Sequence, residues 1–400
     1  MKKIIIVITF LLLTFALPLF SIGFGYHVLE MRSEPEFAKG VFPSSVKYQF
    51  NFPVPDFVNG NITELTFRLD NGLVYRSLNQ DPKSGKHYEQ YPDLLTQAGF
   101  SLNQARDYSV QFDEFSLHFS QGFFKTPLSD KDLLRFEFSF GGRFENAFER
   151  LFFMYNENNT SGVFFKSFGE ERFSDNIFNA YPELKNDGSN LRSFFSTFIN
   201  FNFDINLLKD EVTRKSGVKL SVDYRLSPKT LLMNDGTADF SKLSLSIEGA
   251  HTIGSCNYKN RPELSWLSST MGFNFTYRYI EGTSVPSYVM QDKIFGLTIP
   301  NTQHIAYGRI YLTIFGPQLG AKDLYPFITV FNDAAISYGS VINSTVGESL
   351  KQVMMSFGVK AEFVLYSIAN IYYEIGYVYN GVFDQKPHKV QAKFGLTVGV

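Results

Sequence analysis

The sequence is poor in the residues that staple small domains together: it has one cysteine, Cys256, and one tryptophan, Trp266. A lone cysteine excludes an intramolecular disulfide framework and a cysteine-based zinc site. An excess of one charge is missing too. Lys and Arg total 37 against 39 Asp and Glu, a formal net charge of −2, so no electrostatic footprint points to nucleic acid. The signatures of common enzymes are absent as well, with no G-x-S-x-G elbow, no H-E-x-x-H run and no glycine-rich phosphate loop. His27, His87, His118, His251, His304 and His388 follow no metal-ligand spacing. The expectation is a protein that is not an enzyme and carries no cofactor.

Long apolar runs are lacking everywhere but at the start, where Ile4 to Phe20 follows Lys2 and Lys3 and precedes the small residues Ser21 and Gly23. That is the layout of a secretory signal peptide, with cleavage expected after Gly23. No cysteine stands at the cleavage point, so a lipoprotein anchor is not expected. No later segment approaches the roughly 20 apolar residues of a helical membrane span. Linkers and low-complexity tracts are missing too, so residues 1–23 read as a signal peptide and 24–400 as one domain.

Aromatic residues and glycine are what the chain has in quantity, with 44 Phe, 22 Tyr and 30 Gly. Yet the mean hydropathy is only −0.10, so apolar and polar residues must be finely interleaved. The interleaving has a period of two. Val46, Tyr48, Phe50 and Phe52 alternate with polar residues, as do Leu65, Phe67 and Leu69, then Leu134, Phe136, Phe138 and Phe140. Phe195 to Ile205, Val218 to Leu226, Leu243 to Ile247 and Met271 to Tyr279 continue the pattern. So do the rows in 303–315, 325–338, Val353 to Leu365, Ile371 to Tyr379 and Val390 to Val400. Such alternation over roughly ten residues predicts half-buried β-strands. Near Asp113 the parity slips from Val110 and Phe112 to Phe115, Leu117 and Phe119, which predicts a β-bulge. Asp93 to Ala98 and Glu348 to Val353 read as short helices in loops.

Strands of a soluble sandwich are usually about five or six residues, and these rows are longer. Their polar faces carry Ser, Thr, Asn, Gln and Gly with charges of both signs, which suits a wet interior. Connections taken alternately fall into a mostly short set and a long set that includes 76–106, 146–190 and 281–301. Gly25 to Arg32 supplies a first strand ahead of the clear rows. In its signal-like start, alternating rows, aromatic load and terminal row, the chain resembles bacterial outer-membrane β-barrel proteins of the Gram-negative type. The resemblance is to a broad class and to no single family, and the usage of Lys, Asn, Ile and Phe has a spirochaete character. It implies an all-β fold, a transmembrane antiparallel up-and-down β-barrel of about 14 strands (roughly 12–16), with long loops on the external side. It also implies an outer-membrane location, with outer-membrane lipid, the barrel-assembly machinery and small solutes as partners. Val400 departs from the aromatic residue on which such chains usually end.

If the Phe and Leu rows face lipid, charged residues of the same strands face the lumen. The expected pore-lining residues are Arg68, Arg135, Glu137, Arg143, Asp223 and Arg225, followed by Glu248, Arg278, Lys360, Glu362, Glu374 and Lys393. Rings of charge tune selectivity in pores. The direction of Arg309 stays open, because both faces of its strand carry apolar residues. The functional expectation is a porin-like channel for diffusion or uptake of small solutes, with the aromatic loop 146–190 either narrowing the mouth or forming a hairpin. The alternative is a surface-exposed barrel with a closed lumen whose loops bind a host or envelope partner.

Overall fold

The computed structural model describes residues 27–33, 44–52, 54–58, 60–77, 107–125, 132–148, 150–153, 163–166, 193–211, 214–232, 234, 238–253, 269–290, 293–294, 297–298, 302–315, 324–342, 349–365, 369–379 and 389–399. The expected signal peptide, the segment 93–98, Val400 and most of the long loops 76–106 and 146–190 lie outside these residues.

The alternating rows form strands, and the strands form one antiparallel sheet of fifteen, of which Lys209–Glu211 is a short extension. The other fourteen are β1 (His27–Ser33), β2 (Ser44–Phe52), β3 (Thr63–Ser77), β4 (Asp107–Lys125), β5 (Asp132–Phe148), β6 (Ser193–Asn206) and β7 (Arg214–Ser227). They continue with β8 (Asp239–Ile253), β9 (Ser269–Ser284), β10 (Thr302–Phe315), β11 (Leu324–Val341), β12 (Ser349–Leu365), β13 (Ala369–Tyr379) and β14 (Lys389–Gly399). Each pairs with its sequence neighbours, and β1 also pairs with β14 through Glu30↔Gly399 to Ser33↔Leu396. Every one of the fourteen therefore has a described partner strand on both sides, the contact between β1 and β14 covering four residue pairs.

Two expectations change here. The register through Asn71↔Asp113 and Asp113↔Phe144 is continuous, so there is no bulge at Asp113. The parity slips because the apolar face changes sides: Val110 and Phe112 point inward and are buried, while Phe115 and Leu117 point outward and are exposed. Residues 349–353 are the start of β12 and not a short helix.

The ring is inside out relative to a soluble domain. Phe138, Val222, Leu245, Phe275, Ile328 and Ile371 are exposed large apolar residues on its outer rows. Glu145, Asp333, Ser196 and Ser337 are fully buried on the inner ones. Connections after odd-numbered strands gather at one end of the ring, the loop end, and connections after even-numbered strands at the other, the turn end. In the loop after β5, Arg150–Phe153 pairs with Val163–Lys166 as a hairpin.

At the loop end one stretch of wall is completed by a side chain. Pairing of β6 with β7 stops at Ile199↔Leu226, so Thr197 has no strand partner on that edge. Asn234, fully buried, takes the place of a peptide. Its Oδ1 accepts from the Thr197 N–H at 2.7 Å, and its Nδ2 donates to the Thr197 carbonyl at 3.0 Å. Ser227 Oγ donates to the same carbonyl at 2.6 Å. Leaving a buried donor or acceptor unsatisfied costs about 1–3 kcal/mol. Asn234→Ala is therefore expected to lower unfolding free energy by about 2–4 kcal/mol in a denaturant titration. Asn234→Asp should recover part of the loss, because it keeps the acceptor for the Thr197 N–H.

Candidate functional site

The space inside the ring divides by chemistry along its axis. The inner rows near the loop end are apolar, with Val110 and Phe112 on β4, Phe198 on β6, Phe240 on β8, Ile280 on β9, Ile305 on β10 and Met354 on β12 all buried. Into this layer folds the segment after β9, whose helical turn Ser287–Met290 is too short to be stable alone. Val285 and Val289 join Ala238, Phe240, Ile280 and Ile342 in one buried cluster against which Tyr288 packs. Tyr288 reaches across to β6, its hydroxyl 3.0 Å from Ser196 Oγ. The segment is thus a stopper held against β5–β9. Of the 146–190 loop, the part beyond β5 that is described is the hairpin, and its expected narrowing of the mouth lies outside the described residues.

Beneath the stopper lies a belt of charge. Glu114 on β4 accepts from Arg143 Nη1 of β5 at 2.9 Å and from Arg225 Nη2 of β7 at 3.1 Å, the second contact spanning three strands. Arg143 Nε also donates to the fully buried Glu145 at 2.7 Å. Both guanidinium groups approach the Tyr288 ring, at 4.5 Å for Arg143 and 5.6 Å for Arg225. On the opposite side Arg309 points inward. It donates to both oxygens of Asp333 at 2.7 and 2.8 Å, and to Glu374 at 2.8 Å, bridging β10, β11 and β13.

Register explains how the cations are aimed. Phe198 lies opposite Gly141, Phe331 opposite Gly358 and Tyr372 opposite Gly395. A Cβ on Gly358 would stand 2.6 Å from the Phe331 ring, and one on Gly395 would stand 2.2 Å from Tyr372. Only glycine lets each ring lie flat on the wall, and a cation then stacks on its open face. Arg225 sits 3.5 Å from Phe198, Arg309 3.9 Å from Phe331 and Lys360 4.6 Å from Tyr372.

Toward the turn end Arg68 donates through both Nη atoms to Glu137 at 3.2 and 3.3 Å, and Arg135 reaches Glu64. Lys219 meets Asp204 at 3.2 Å, Lys360 meets Glu362 at 3.0 Å, and Lys215 meets Glu248. Asp223 accepts from Asn200 at 2.8 Å. Arg278 is fully buried, with Nη2 directed at the Thr302 carbonyl at 3.4 Å. Lys393 is placed by register alone, opposite Glu374. The two signs are interleaved in small clusters and are not sorted onto opposite walls. Glu114, Asp333, Tyr288 and the flat rings were missed in the sequence, since only register shows which glycine faces which ring.

One cluster has the order of a hydrolase triad. Ser116 Oγ is 2.6 Å from His118 Nε2, and His118 Nδ1 is 2.7 Å from Glu137 Oε1. The other half of an acyl-transfer site is missing, because β4 is paired on both sides here and its N–H groups are engaged in the ladders. Arg68 also holds both oxygens of Glu137. The cluster works as a lock joining β3, β4 and β5. Among the described residues no group of three or more His, Cys, Asp or Glu could hold a metal ion.

No protein-family model matches the chain, and no curated protein does. Solved structures match in fold. CdiB from Escherichia coli does so at a TM-score of 0.51 and 8% identity, over 94% of this chain and 63% of that one. BamA from Haemophilus ducreyi lacking POTRA domains 1–3 gives a TM-score of 0.49 and 10% identity, over 94% and 70%. An outer-membrane channel from Pseudomonas putida F1 gives 0.35 and 8%, over 94% and 96%. This chain therefore spans less than two thirds of CdiB. At these identities the likeness is one of fold, a broad match to bacterial outer-membrane β-barrel proteins.

The belt makes its own prediction. Removing one member of a buried ion cluster strands its partners and costs about 3–5 kcal/mol. Glu114→Gln should lose stability in that range in denaturant unfolding, whereas Glu248→Gln, at a more open pair, should lose about 1 kcal/mol or less. Equal losses would contradict the belt's role.

Proposed function

We propose that the fourteen paired strands close into a barrel that crosses an outer membrane, and that the protein is a channel for small hydrated solutes whose loop end is held shut by the 285–290 stopper. The observation that carries this reading is the inside-out partition. Apolar rows face out along every well-described strand, while a charged belt and half-open polar clusters face in. Hydrocarbon admits only backbone whose hydrogen bonds are complete, which a closed ring supplies. In this reading the inward charges Arg68, Arg135, Glu137, Arg143, Asp223, Arg225, Glu248, Arg278, Lys360, Glu362, Glu374 and Lys393 line the passage, and interleaved signs favour hydrated solutes without strong preference for one charge. Export through the signal peptide 1–23 and insertion by the barrel-assembly machinery belong to the same reading.

A second reading keeps the barrel and closes the lumen permanently, leaving the loops to bind a host or envelope partner. The tight cluster around Val285 and Val289 favours it. Planar-bilayer recordings of refolded protein separate the two. The channel reading expects small, infrequent conductance steps from the wild type. It expects larger steps from Tyr288→Ala and from a deletion of 285–290. If a heat-modifiable, folded barrel conducts in none of these forms, the partner-binding reading stands instead. The membrane assignment has its own test. Phe138 lies in the middle of the outer row of β5, so Phe138→Arg should cost about 2–4 kcal/mol of folding stability in vesicles. A cost near zero would place that face in water.

A further inference from the structure

The outer face carries one feature that neither lipid nor the lumen explains. On β11 the outward row reads Leu324, Pro326, Ile328, Val330, Asn332, Ala334, Ile336, Tyr338, with an amide at its middle. Asn332 is exposed, and its direct neighbours across the ladders are Ile310 on β10 and Phe357 on β12. These two are themselves 53% and 57% exposed, so nothing from the same chain covers the amide. Among the described residues the Asn332 side chain has no hydrogen-bond partner. Other polar residues on the outer rows differ from it. Asn71 is bonded to Asp113, and His304 is bonded through Nδ1 to the Tyr277 hydroxyl at 2.8 Å. The exposed Gln111 and His251 stand nearer the ends of β4 and β8, whereas Asn332 is at the middle of β11.

An amide left in hydrocarbon without a partner is costly, so a carboxamide in the middle of a lipid-facing row demands one. A carboxamide is also its own complement. It has one acceptor oxygen and two N–H donors, and two of them related by a two-fold axis make a cyclic pair. Beside it Ala334 carries only a methyl, while the Phe275 ring lies over its ladder partner Gly308. The small side chain of Ala334 lets a second wall approach next to the amide.

We propose that this face, centred on Asn332 and framed by Ile310, Val330, Ala334 and Phe357, joins two copies of the chain into a symmetric dimer within the membrane. The proposal rests on the membrane-barrel reading above, and the test keeps the two apart. In a Cys256→Ser background reconstituted in vesicles, Ala334→Cys, which leaves Asn332 in place, is oxidised beside Leu117→Cys, an exposed outward position on β4, seven strands away around the ring. Disulfide-linked dimer at 334 and none at 117 is expected. In detergent, the cysteine-containing wild type should run as a dimer on sizing with light scattering, and Asn332→Leu should raise the dissociation constant about tenfold while remaining heat-modifiable. A folded, heat-modifiable wild type that is monomeric, or a folded Ala334→Cys variant that forms no disulfide, overturns the dimer and leaves the barrel intact. Equal cross-linking at both positions also overturns it. A protein that is never heat-modifiable overturns the barrel reading itself.

Discussion

The backbone must be paired wherever water is absent, and that requirement organises this protein. A sheet with free edges fails it at those edges, whereas here β1 also pairs with β14, so each of the fourteen strands has a partner strand on both sides. The same requirement explains a detail at the loop end. Where β6 runs past the end of its ladder with β7, the Asn234 carboxamide offers Thr197 the donor and acceptor that a peptide would have given. A loop can therefore serve as wall, and the neighbouring segment is free to fold inward as a stopper.

With the backbone satisfied, identity rests with the side chains turned inward. Three glycines make flat seats, three rings lie on them, and Arg225, Arg309 and Lys360 are stacked at defined positions by those rings. Carboxylates then link strands that are not neighbours, as Glu114 does with Arg225 and Glu374 with Arg309. These chords tie non-adjacent strands together across the interior beneath the 285–290 segment. Tyr288 touches both: its ring meets the guanidinium groups, and its own segment belongs to the apolar cluster. Stopper and belt are thus mechanically coupled.

The strands were legible in the sequence because a two-residue period survives any change of partner. Leu134 to Phe140 and Val353 to Leu365 declare themselves without knowledge of register, and the first strand was found at 25–32 from a short alternation. Two readings, the bulge at Asp113 and the open direction of Arg309, share one cause. Where the lumen is itself apolar, parity no longer separates inside from outside. Val110 and Phe112 therefore looked like a bulge, and Ile305 and Tyr307 hid the inward direction of Arg309. The candidate site was legible only as a set of inward charges. Which carboxylate meets which cation depends on register across several strands, as with Glu114 and Arg225. The stopper turn Ser287–Met290 is a single helical turn and carries no periodic signal at all.

The central claim is that alternate residues of each strand face lipid and water. Cysteine scanning along β5 from Leu134 to Glu145 tests it most directly, in a Cys256→Ser background reconstituted in vesicles. Odd positions, which share the face of Glu137 and Arg143, should react with a water-soluble maleimide wherever the lumen admits it. Even positions, which share the face of Phe136 and Phe138, should be shielded from that reagent and quenched by bromine-labelled acyl chains when carrying a fluorophore. Uniform reactivity along the strand, or lipid quenching at odd positions, would contradict the account.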